Sequence, residues 1–408
     1  MDAEPLVGWA LAQADWQAGR LAQAEGTFAR AVVGLRAAGV PMEAAVVDYG
    51  LARVQQGQGR LGAALATCRQ ALDVATAVHS ASPLAGLAHV RLAELLRERD
   101  ELDAALDHAT TGVALCRQLG HAWALAAGLV TLAWIRQAQG DPAGATETMG
   151  EAERVLPDPR LVELFNPAPA QAARLALAQG RTADAARWVR ERRLGVEDQP
   201  SYPREPAYLV LARVLLAERA PERALGLVER WLALAVTQGR TGSIIELRAL
   251  QALALAASAD ERGALAALAE ALRLGAPEGY VRVFVDEGAP LASLLGTLIA
   301  AGPARGGLAR QAPPDYLRRL TNASQRAGVA SSGRGRRGVV PSLVEPLSER
   351  ELEGLALLAT GRSNQQIAEE LVVALDTAKK HVSHILDKLG VANRTQAVAR
   401  ARELQLLR

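Results

Sequence analysis

The sequence predicts an all-α protein, built as a stack of helical hairpins followed by a small C-terminal bundle of helices. Three observations support this fold class. Ala and Leu contribute 84 and 62 of the 408 residues, and both have high helix propensity. Aromatic residues make up only 3% of the chain, whereas β-strands are enriched in aromatic and β-branched residues. Polar breaks recur about every forty residues over the first two thirds of the chain.

Polar breaks mark the turns of this repeat. The first five begin at Gly19, Gly59, Asp100, Gly140 and Gly180. Two further breaks fall near residues 220 and 260, and an Ala follows every break by four or five residues. Each unit is predicted to be a helix, a tight turn in which Gly provides a C-cap or a positive φ, and a second antiparallel helix packed closely through small residues. About seven units are expected over residues 5–275.

A single helical hairpin cannot bury its apolar face, so neighbouring units are expected to stack into a solenoid with a concave inner wall. The pattern resembles the tetratricopeptide-like superhelix, although its period is longer than about 34 residues and its aromatic signature is diluted. Solenoids commonly use their concave walls to bind other molecules. We therefore expect an effector or a partner protein at the concave surface, although no cluster of residues indicates which.

No residue pattern in the repeats indicates catalysis or metal binding. Four histidines, interpreted as surface or hydrogen-bonded residues, are dispersed at His79, His89, His108 and His121. Cys68 and Cys116 form no CxxC pair and are interpreted as buried free thiols. Because paired carboxylate motifs, nucleophile elbows and phosphate loops are absent from the sequence, neither a cofactor nor enzymatic activity is expected. Without a signal peptide or a long apolar run, a cytoplasmic protein with no membrane partner is expected.

Two segments separate the repeats from the C-terminal domain. Val281, Val283 and Val285 alternate as in a β-strand, but a helix that closes the stack fits the pattern too, and both remain open. Residues 302–344 are rich in Arg, Gly and Ser and are predicted to be a flexible linker. The arginines of this linker either attract DNA phosphates without sequence preference or only keep it solvated.

Residues 345–408 contain the start and stop signals of four short helices. These helices are predicted to begin near Ser348, Ser363, Asp376 and Asn393. The apolar residues expected to form their common core, besides those of the third helix, are Leu352, Leu355, Ala356, Leu358, Ile367, Ala368, Leu371, Ala397, Val398, Ala401 and Leu404. A tight turn between the second and third helices makes this arrangement a helix-turn-helix.

The third helix has one apolar face and one cationic face. Ala378, Val382, Ile385 and Leu389 fall on one side at about 100° per residue. Lys380 and Ser383 lie opposite, and Lys379 lies on one flank. The N-terminal half of such a helix enters the major groove, where Lys donates to guanine O6 and N7. A solvated lysine pair is the alternative, but DNA contact is favoured because the first two lysines of the chain lie on one helix face directly behind a turn.

Four segments of this domain closely resemble the LuxR-type helix-turn-helix. They are Leu347–Glu351, Ser363–Ala368, Thr377–Val382 and Lys388–Val391. The resemblance implies three roles for individual side chains. Base edges are approached by Lys379, Lys380 and Ser383. Phosphates are approached by Ser363, Asn364 and Thr377. The dimer contact is formed by Val398 and Ala401.

The forty-residue repeats resemble the sensor region of the large MalT-like, ATP-dependent members of the LuxR-type group. Those members carry a P-loop ATPase ahead of the repeats. This sequence contains no GxxxxGK[ST] motif and no lysine before Lys379 that could serve in one. It is therefore either part of a longer regulator or a shortened relative, and both remain open.

Together these patterns predict a DNA-binding transcriptional regulator in three parts. Residues 1–301 are expected to form a tetratricopeptide-like sensor or interaction domain, 302–344 a linker, and 345–408 a LuxR-type helix-turn-helix domain. The expected partners are double-stranded DNA, bound as a homodimer on an inverted repeat, and RNA polymerase. The alternative is an interaction scaffold whose helix-turn-helix has lost specific DNA binding.

Overall fold

The computed structural model describes residues 4–78, 85–155, 168–301, 312–332, 349–360 and 362–371, together with residues 378, 382, 385, 386, 397, 398 and 401. All regular elements in these ranges are helices and none is a β-strand, which confirms the all-α prediction. The chain divides into two compact units, Met1–Ala330 and Ser331–Arg408. Within the described ranges, no helix is both long and apolar enough to cross a membrane.

Seven pairs of helices form the body of the first unit. The pairs are α1 (Glu4–Gln17) with α2 (Leu21–Ala37), α3 (Pro41–Gly57) with α4 (Leu61–Val78), α5 (Ala85–Glu98) with α6 (Leu102–Leu119), α7 (Ala122–Ala138) with α8 (Pro142–Val155), α9 (Ala168–Ala178) with α10 (Thr182–Glu191), α11 (Glu205–Ala217) with α12 (Pro221–Thr237), and α13 (Thr241–Ala257) with α14 (Glu261–Gly275). Each helix packs against the next one along the chain, as stacked hairpins do.

The turn inside each pair contains one residue with a left-handed backbone. These residues are Gly19, Gly59, Asp100, Gly140, Gly180, Arg219 and Ala259, and their φ angles lie between +60° and +82°. The first five are the predicted turn marks, whereas the last two fall one residue before the breaks expected near 220 and 260. Gly adopts a positive φ without steric cost, which explains why four of the seven turns use it.

An Ala at the same place in each unit lets the two helices approach closely. These residues are Ala24, Ala64, Ala105, Ala145, Ala185, Ala224 and Ala264, and none of them has exposed surface. A larger side chain at these positions would hold the paired helices apart. The two cysteines, Cys68 and Cys116, are buried free thiols as predicted.

The stack curves until its last pairs reach its first ones. Gln238, which follows α12, donates from Nε2 to the carbonyl oxygen of Ala18 at 3.0 Å. Gly242, at the start of α13, approaches α3 so closely that a Cβ there would lie 2.6 Å from the carbonyl oxygen of Gln56. The superhelix therefore closes on itself within the first unit, and its concave wall surrounds a narrow axis.

Three further helices complete the first unit, namely α15 (Arg282–Val285), α16 (Ala289–Ala301) and α17 (Pro314–Ser332). The segment with alternating Val residues is the short helix α15, so the helical alternative for it is correct. All four residues of α15 are buried, and its three apolar residues belong to a core shared by the last helix pair and the second to fourth pairs. The apolar side chains of this segment therefore pack between the last pair and the earlier ones.

Helix α17 lies inside the segment expected to be a flexible linker, and the structure differs from that expectation over the length of this helix. Tyr316, Leu320 and Ala323 form a buried stripe that joins a core shared by the last helix pair and the second to fourth pairs. Arg326 forms an ion pair of 2.5 Å with Asp100, in the turn between α5 and α6. The Arg-rich composition concealed an amphipathic period, in which Arg318 and Arg326 are exposed. Most of the remaining linker lies outside the described residues.

The second unit contains α18 (Glu349–Ala359) and α19 (Asn364–Glu370) among its described residues. Its buried core consists of Leu355, Leu358, Ile367, Ala368, Leu371, Ala378, Val382, Ile385, Ala397 and Ala401. All ten are residues predicted to be buried from their helical spacing. The described single residues of the predicted third and fourth helices are helical, and the rest of those helices lies outside the described residues.

Candidate functional site

Ser363 begins helix α19 with a reciprocal capping arrangement. Its Oγ accepts a hydrogen bond from the backbone N–H of Gln366 at 3.3 Å, and Gln366 Oε1 accepts one from the backbone N–H of Ser363 at 2.9 Å. This capping box fixes the start of the helix. Ser363 is exposed and Asn364 is half-buried, so both residues expected to approach phosphates lie at the surface of their unit.

The third helix of the predicted helix-turn-helix buries its apolar face, as expected. Ala378, Val382 and Ile385 lie in the core of the second unit, and their spacings of four and three residues define one face of an α-helix. The other residues predicted to contact DNA, namely Thr377, Lys379, Lys380 and Ser383, lie outside the described residues. Their contacts with bases and phosphates therefore stay predictions.

The two residues expected at the dimer contact differ in their surroundings. Val398 is half-buried and keeps part of its side chain at the surface. Ala401 has no exposed surface and packs in the core of its own unit. A fully buried methyl group has no area left for a second protomer, so Val398 alone retains the surface that a direct contact requires.

The concave wall of the repeats borders an open cavity of about 260 Å³, the axial cavity. The first helices of successive pairs line it, mainly α3, α5, α9, α11 and α13. Its charged residues are Arg53, Arg91, Glu94, Glu98, Arg174, Glu205, Arg213 and Glu246. The sequence predicted a concave surface but none of these residues, because they come from five helices far apart in the chain.

Ion pairs hold several of these charged side chains in the wall. Arg213 Nη2 lies 2.6 Å from a carboxylate oxygen of Glu246 and 2.5 Å from one of Glu287. Glu205 pairs with Arg240, which has no exposed surface. Buried charges need partners of this kind because removing them from water is costly. The wall is therefore polar, and its charged groups are held in defined positions.

The surroundings of Glu98, a carboxylate of the axial cavity, alter its protonation. Its Oε1 accepts a hydrogen bond from the backbone N–H of Val283 at 2.9 Å. Burial raises the pKa of Glu98 to about 7, and the hydrogen bond from Val283 and the charge of Arg97 offset this effect only in part. The carboxyl group therefore exchanges its proton near neutral pH.

Tyr280 connects the axial cavity to helix α17. Its side chain lines the cavity, and its hydroxyl group donates to the carbonyl oxygen of Gln56 at 3.2 Å. Its backbone carbonyl oxygen accepts a hydrogen bond from the hydroxyl group of Tyr316 in α17. Tyr280 therefore contacts both the wall of the axial cavity and α17.

His89 and His108 form a pair that the sequence analysis interpreted as separate residues. Their Nδ1 atoms lie 2.8 Å apart. Burial, with a smaller effect from the charge of His108, lowers the pKa of His89 to about 4. Their pairing could have been inferred from the sequence, because they lie on either side of the turn at Asp100, which places them side by side on antiparallel helices.

Among the residues described, no group of three or more His, Cys, Asp or Glu side chains could hold a metal ion. His79 lies outside them.

Comparison with known families agrees with the two units. The family described as the MalT-like TPR region matches residues 3–300. The luxR family of bacterial regulatory proteins matches residues 345–401. The first match covers the seven helix pairs and α15, and the second covers the unit in which the core of a helix-turn-helix is buried.

Individual relatives match over part of their length. The chain is 36% identical to the HTH-type transcriptional regulator MalT of Klebsiella pneumoniae over 146 residues, which are 34% of this chain and 16% of that protein. It is 32% identical to the MalT regulator of Vibrio cholerae serotype O1 over 162 residues, 38% of this chain and 18% of that protein. The chain thus aligns with less than a fifth of these relatives.

Two solved structures are also similar to this chain. A Rap protein complexed with competence and sporulation factor has a TM-score of 0.41 and 16% identity, and the match covers 80% of this chain and 76% of that one. A tetratricopeptide repeat protein from Parabacteroides merdae has a TM-score of 0.34 and 14% identity, and the match covers 79% and 99% of the two chains. From the family matches, the chain belongs to the LuxR-type regulators that carry a MalT-like repeat region.

Proposed function

We propose that this protein is a sequence-specific DNA-binding regulator of transcription. The main support is the luxR-family match over residues 345–401. The described core residues of the helix-turn-helix in this unit are buried as expected. A domain of this kind inserts the exposed face of its third helix into the major groove of DNA. The buried positions 378, 382 and 385 support the assignment of the opposite face to DNA.

Base and phosphate contacts have different roles in this proposal. Base edges are read by Lys379, Lys380 and Ser383. Phosphates are bound by Ser363, Asn364 and Thr377. Phosphate contacts supply affinity and orient the domain without reading sequence, whereas donors in the major groove discriminate between base pairs.

The protein binds double-stranded DNA as a homodimer on an inverted repeat. A two-fold pair of protomers matches two half-sites that run in opposite directions, about one helical turn apart. Val398 contributes the exposed part of its side chain to the contact between protomers, and Ala401 supports that surface from inside. RNA polymerase is the partner through which such binding would change transcription.

The repeats act as the sensing part of the regulator. We assign residues 1–301 to binding of an effector or partner protein and residues 345–408 to DNA binding. The axial cavity supports this division, because it is concave and carries charged side chains from several repeats. Helix α17, which lies between the two parts in the chain, contacts the cavity wall through Tyr316 and Tyr280.

Lys380→Ala tests the DNA-binding role in the full-length protein. We expect affinity for the specific duplex to fall by about 1–3 kcal/mol, which is roughly 5- to 150-fold in Kd, while affinity for random duplex changes little. Lys388→Ala is the matched control, because it removes the same charge from a residue with no predicted base contact. Fluorescence anisotropy on both duplexes measures the difference.

The alternative function is an interaction scaffold that no longer binds DNA specifically. It predicts absent or salt-insensitive binding by the full-length protein, since phosphate contacts make real DNA binding strongly dependent on salt. If Lys380→Ala lowered the affinity for both duplexes equally, Lys380 would contact only phosphates.

A further inference from the structure

A second cavity lies beside the axial cavity, between the first two helix pairs and the start of α7. Its volume is about 200 Å³, and we call it the aromatic cavity. The chain has six Trp, five Tyr and three Phe, and five of these fourteen aromatic residues line this space. They are Trp9, Trp16, Phe28, Tyr49 and Trp123. Ala and Leu dominate the packing elsewhere in the repeats, so this space has an unusually aromatic wall.

The rings leave a space of defined size. Tyr49 and Trp123 meet edge to face with ring centroids 4.9 Å apart, which joins the walls from α3 and α7. Gly50 also lines the cavity, and a Cβ at this position would lie 3.0 Å from the ring of Phe28. The missing side chain therefore keeps the space open. Since a cavity of about 150 Å³ holds benzene, this one admits one or two fused rings.

Two polar groups in the lining favour an oxygen acceptor. Gln13 Nε2 is buried and has no hydrogen-bond partner among the described residues, which leaves a donor to be satisfied. The guanidinium of Arg53 stacks over the ring of Trp16, 4.3 Å from its centroid. Aromatic cages often bind cations, but the positive charge of Arg53 opposes a second cation here and attracts an anion or a carbonyl dipole.

We propose that the aromatic cavity binds a planar aromatic molecule of one or two rings that carries a carboxylate or carbonyl oxygen. The ring stacks among the aromatic side chains, and Gln13 donates to the oxygen. This inference rests on the proposed sensing role of the repeats and gives the chemical class of the effector. Trp16 and Arg53 line both cavities, so an occupant of the aromatic cavity also alters the axial wall.

Calorimetric titration of the full-length protein tests the proposal with three carboxylates of related size. We expect indole-3-carboxylate and benzoate to bind with one site per chain and at least tenfold more tightly than cyclohexanecarboxylate, which lacks a planar ring. Equal affinity for the saturated acid, tighter binding of benzylamine than of benzoate, or no binding of either aromatic acid would overturn it.

Variants of the lining test the location of the site. Val46→Phe fills the cavity and should abolish binding of indole-3-carboxylate, whereas Val33→Phe places the same side chain at an exposed position of α2 and should leave it unchanged. Gln13→Leu removes the donor and should weaken binding about tenfold. Should Val46→Phe not fold, Trp123→Leu replaces it, with at least a tenfold loss expected. Parent-like affinity in folded Val46→Phe or Trp123→Leu would contradict the assignment.

DNA binding is measured on the same preparation without ligand, which separates this inference from the proposed function. Specific DNA binding together with no affinity for aromatic acids contradicts only the assignment of the aromatic cavity. Saturable binding of aromatic acids by a protein that binds no DNA contradicts the proposed function and leaves the cavity assignment supported.

Discussion

Among single residues, Arg240 is the charged side chain with the least exposed surface in the described part of the chain. It pairs with Glu205, and its Nη1 donates to Ser243 Oγ at 2.6 Å. Burial raises the pKa of Glu205, and the charge of Arg240 offsets this only in part. The cluster therefore joins α11 to α13 beside the axial cavity and depends on both charges being present.

Arg240→Met is expected to lower the free energy of unfolding by about 3–5 kcal/mol, because it leaves a buried carboxylate without its partner. Arg181→Met is the matched control, since its ion pair with Asp184 is exposed and should contribute no more than about 1 kcal/mol. Urea unfolding measures both. Adding Glu205→Gln to Arg240→Met should recover part of the loss, and equal effects for the two single variants would refute the role of the cluster.

Sequence patterns predict some residue roles and not others. Lys380 is indicated by the rarity of lysine and by its place on a helical wheel, both of which can be read from the sequence alone. The pair of Arg240 and Glu205 is not indicated, because the chain has 46 basic and 44 acidic residues and many pairings are compatible with its sequence. Only the packing of different repeats selects this one.

Among the elements, α17 shows how composition can conceal a helix. The seven hairpins follow from the spacing of turns and from an Ala at each closest approach, and the structure agrees with both. The segment that contains α17 was expected to be a linker because Arg, Gly and Ser dominate it. The buried spacing of Tyr316, Leu320 and Ala323 is the helical signal, and it spans only two turns of the helix.

Leu320→Ala tests whether α17 belongs to the stability core of the repeats. Leu320 has no exposed surface, so its truncation should cost about 2–5 kcal/mol in the unfolding of the first unit. Gln325→Ala, on the exposed face of the same helix, should change stability by less than about 0.5 kcal/mol. Thermal and urea unfolding compare the two. Similar small effects would mean that α17 is only loosely attached to the repeats.

For the first unit as a whole, closure of the superhelix is the feature that sequence reasoning did not reach. The period and the paired helices were predictable because they depend on local turns and apolar spacing. Closure depends on the small rotation between successive repeats, and this rotation cannot be read from the sequence of a single repeat. The contact between Gly242 and Gln56 joins residues almost two hundred positions apart. The lining of the axial cavity, which combines residues of the first and last pairs, follows from this closure and was equally out of reach.

Gly242→Ala tests closure with a single methyl group. A Cβ at this position would lie 2.6 Å from the backbone oxygen of Gln56, so the first and last repeats must separate, at an expected cost of about 1–3 kcal/mol. Gly226→Ala is the control, because nothing lies within 4 Å of a Cβ there and the added helix propensity should stabilise α12. A neutral Gly242→Ala would contradict closure through this contact.

Selection of bound duplexes from a random DNA pool by the full-length protein tests whether it binds DNA in a sequence-specific way. We expect enrichment of an inverted repeat whose half-sites lie about one helical turn apart, with binding that weakens steeply as salt increases. Lys380→Ala should relax one position in each half-site. A pool that remains random after repeated selection, with no salt-dependent retention of DNA, would contradict the account and favour an interaction scaffold.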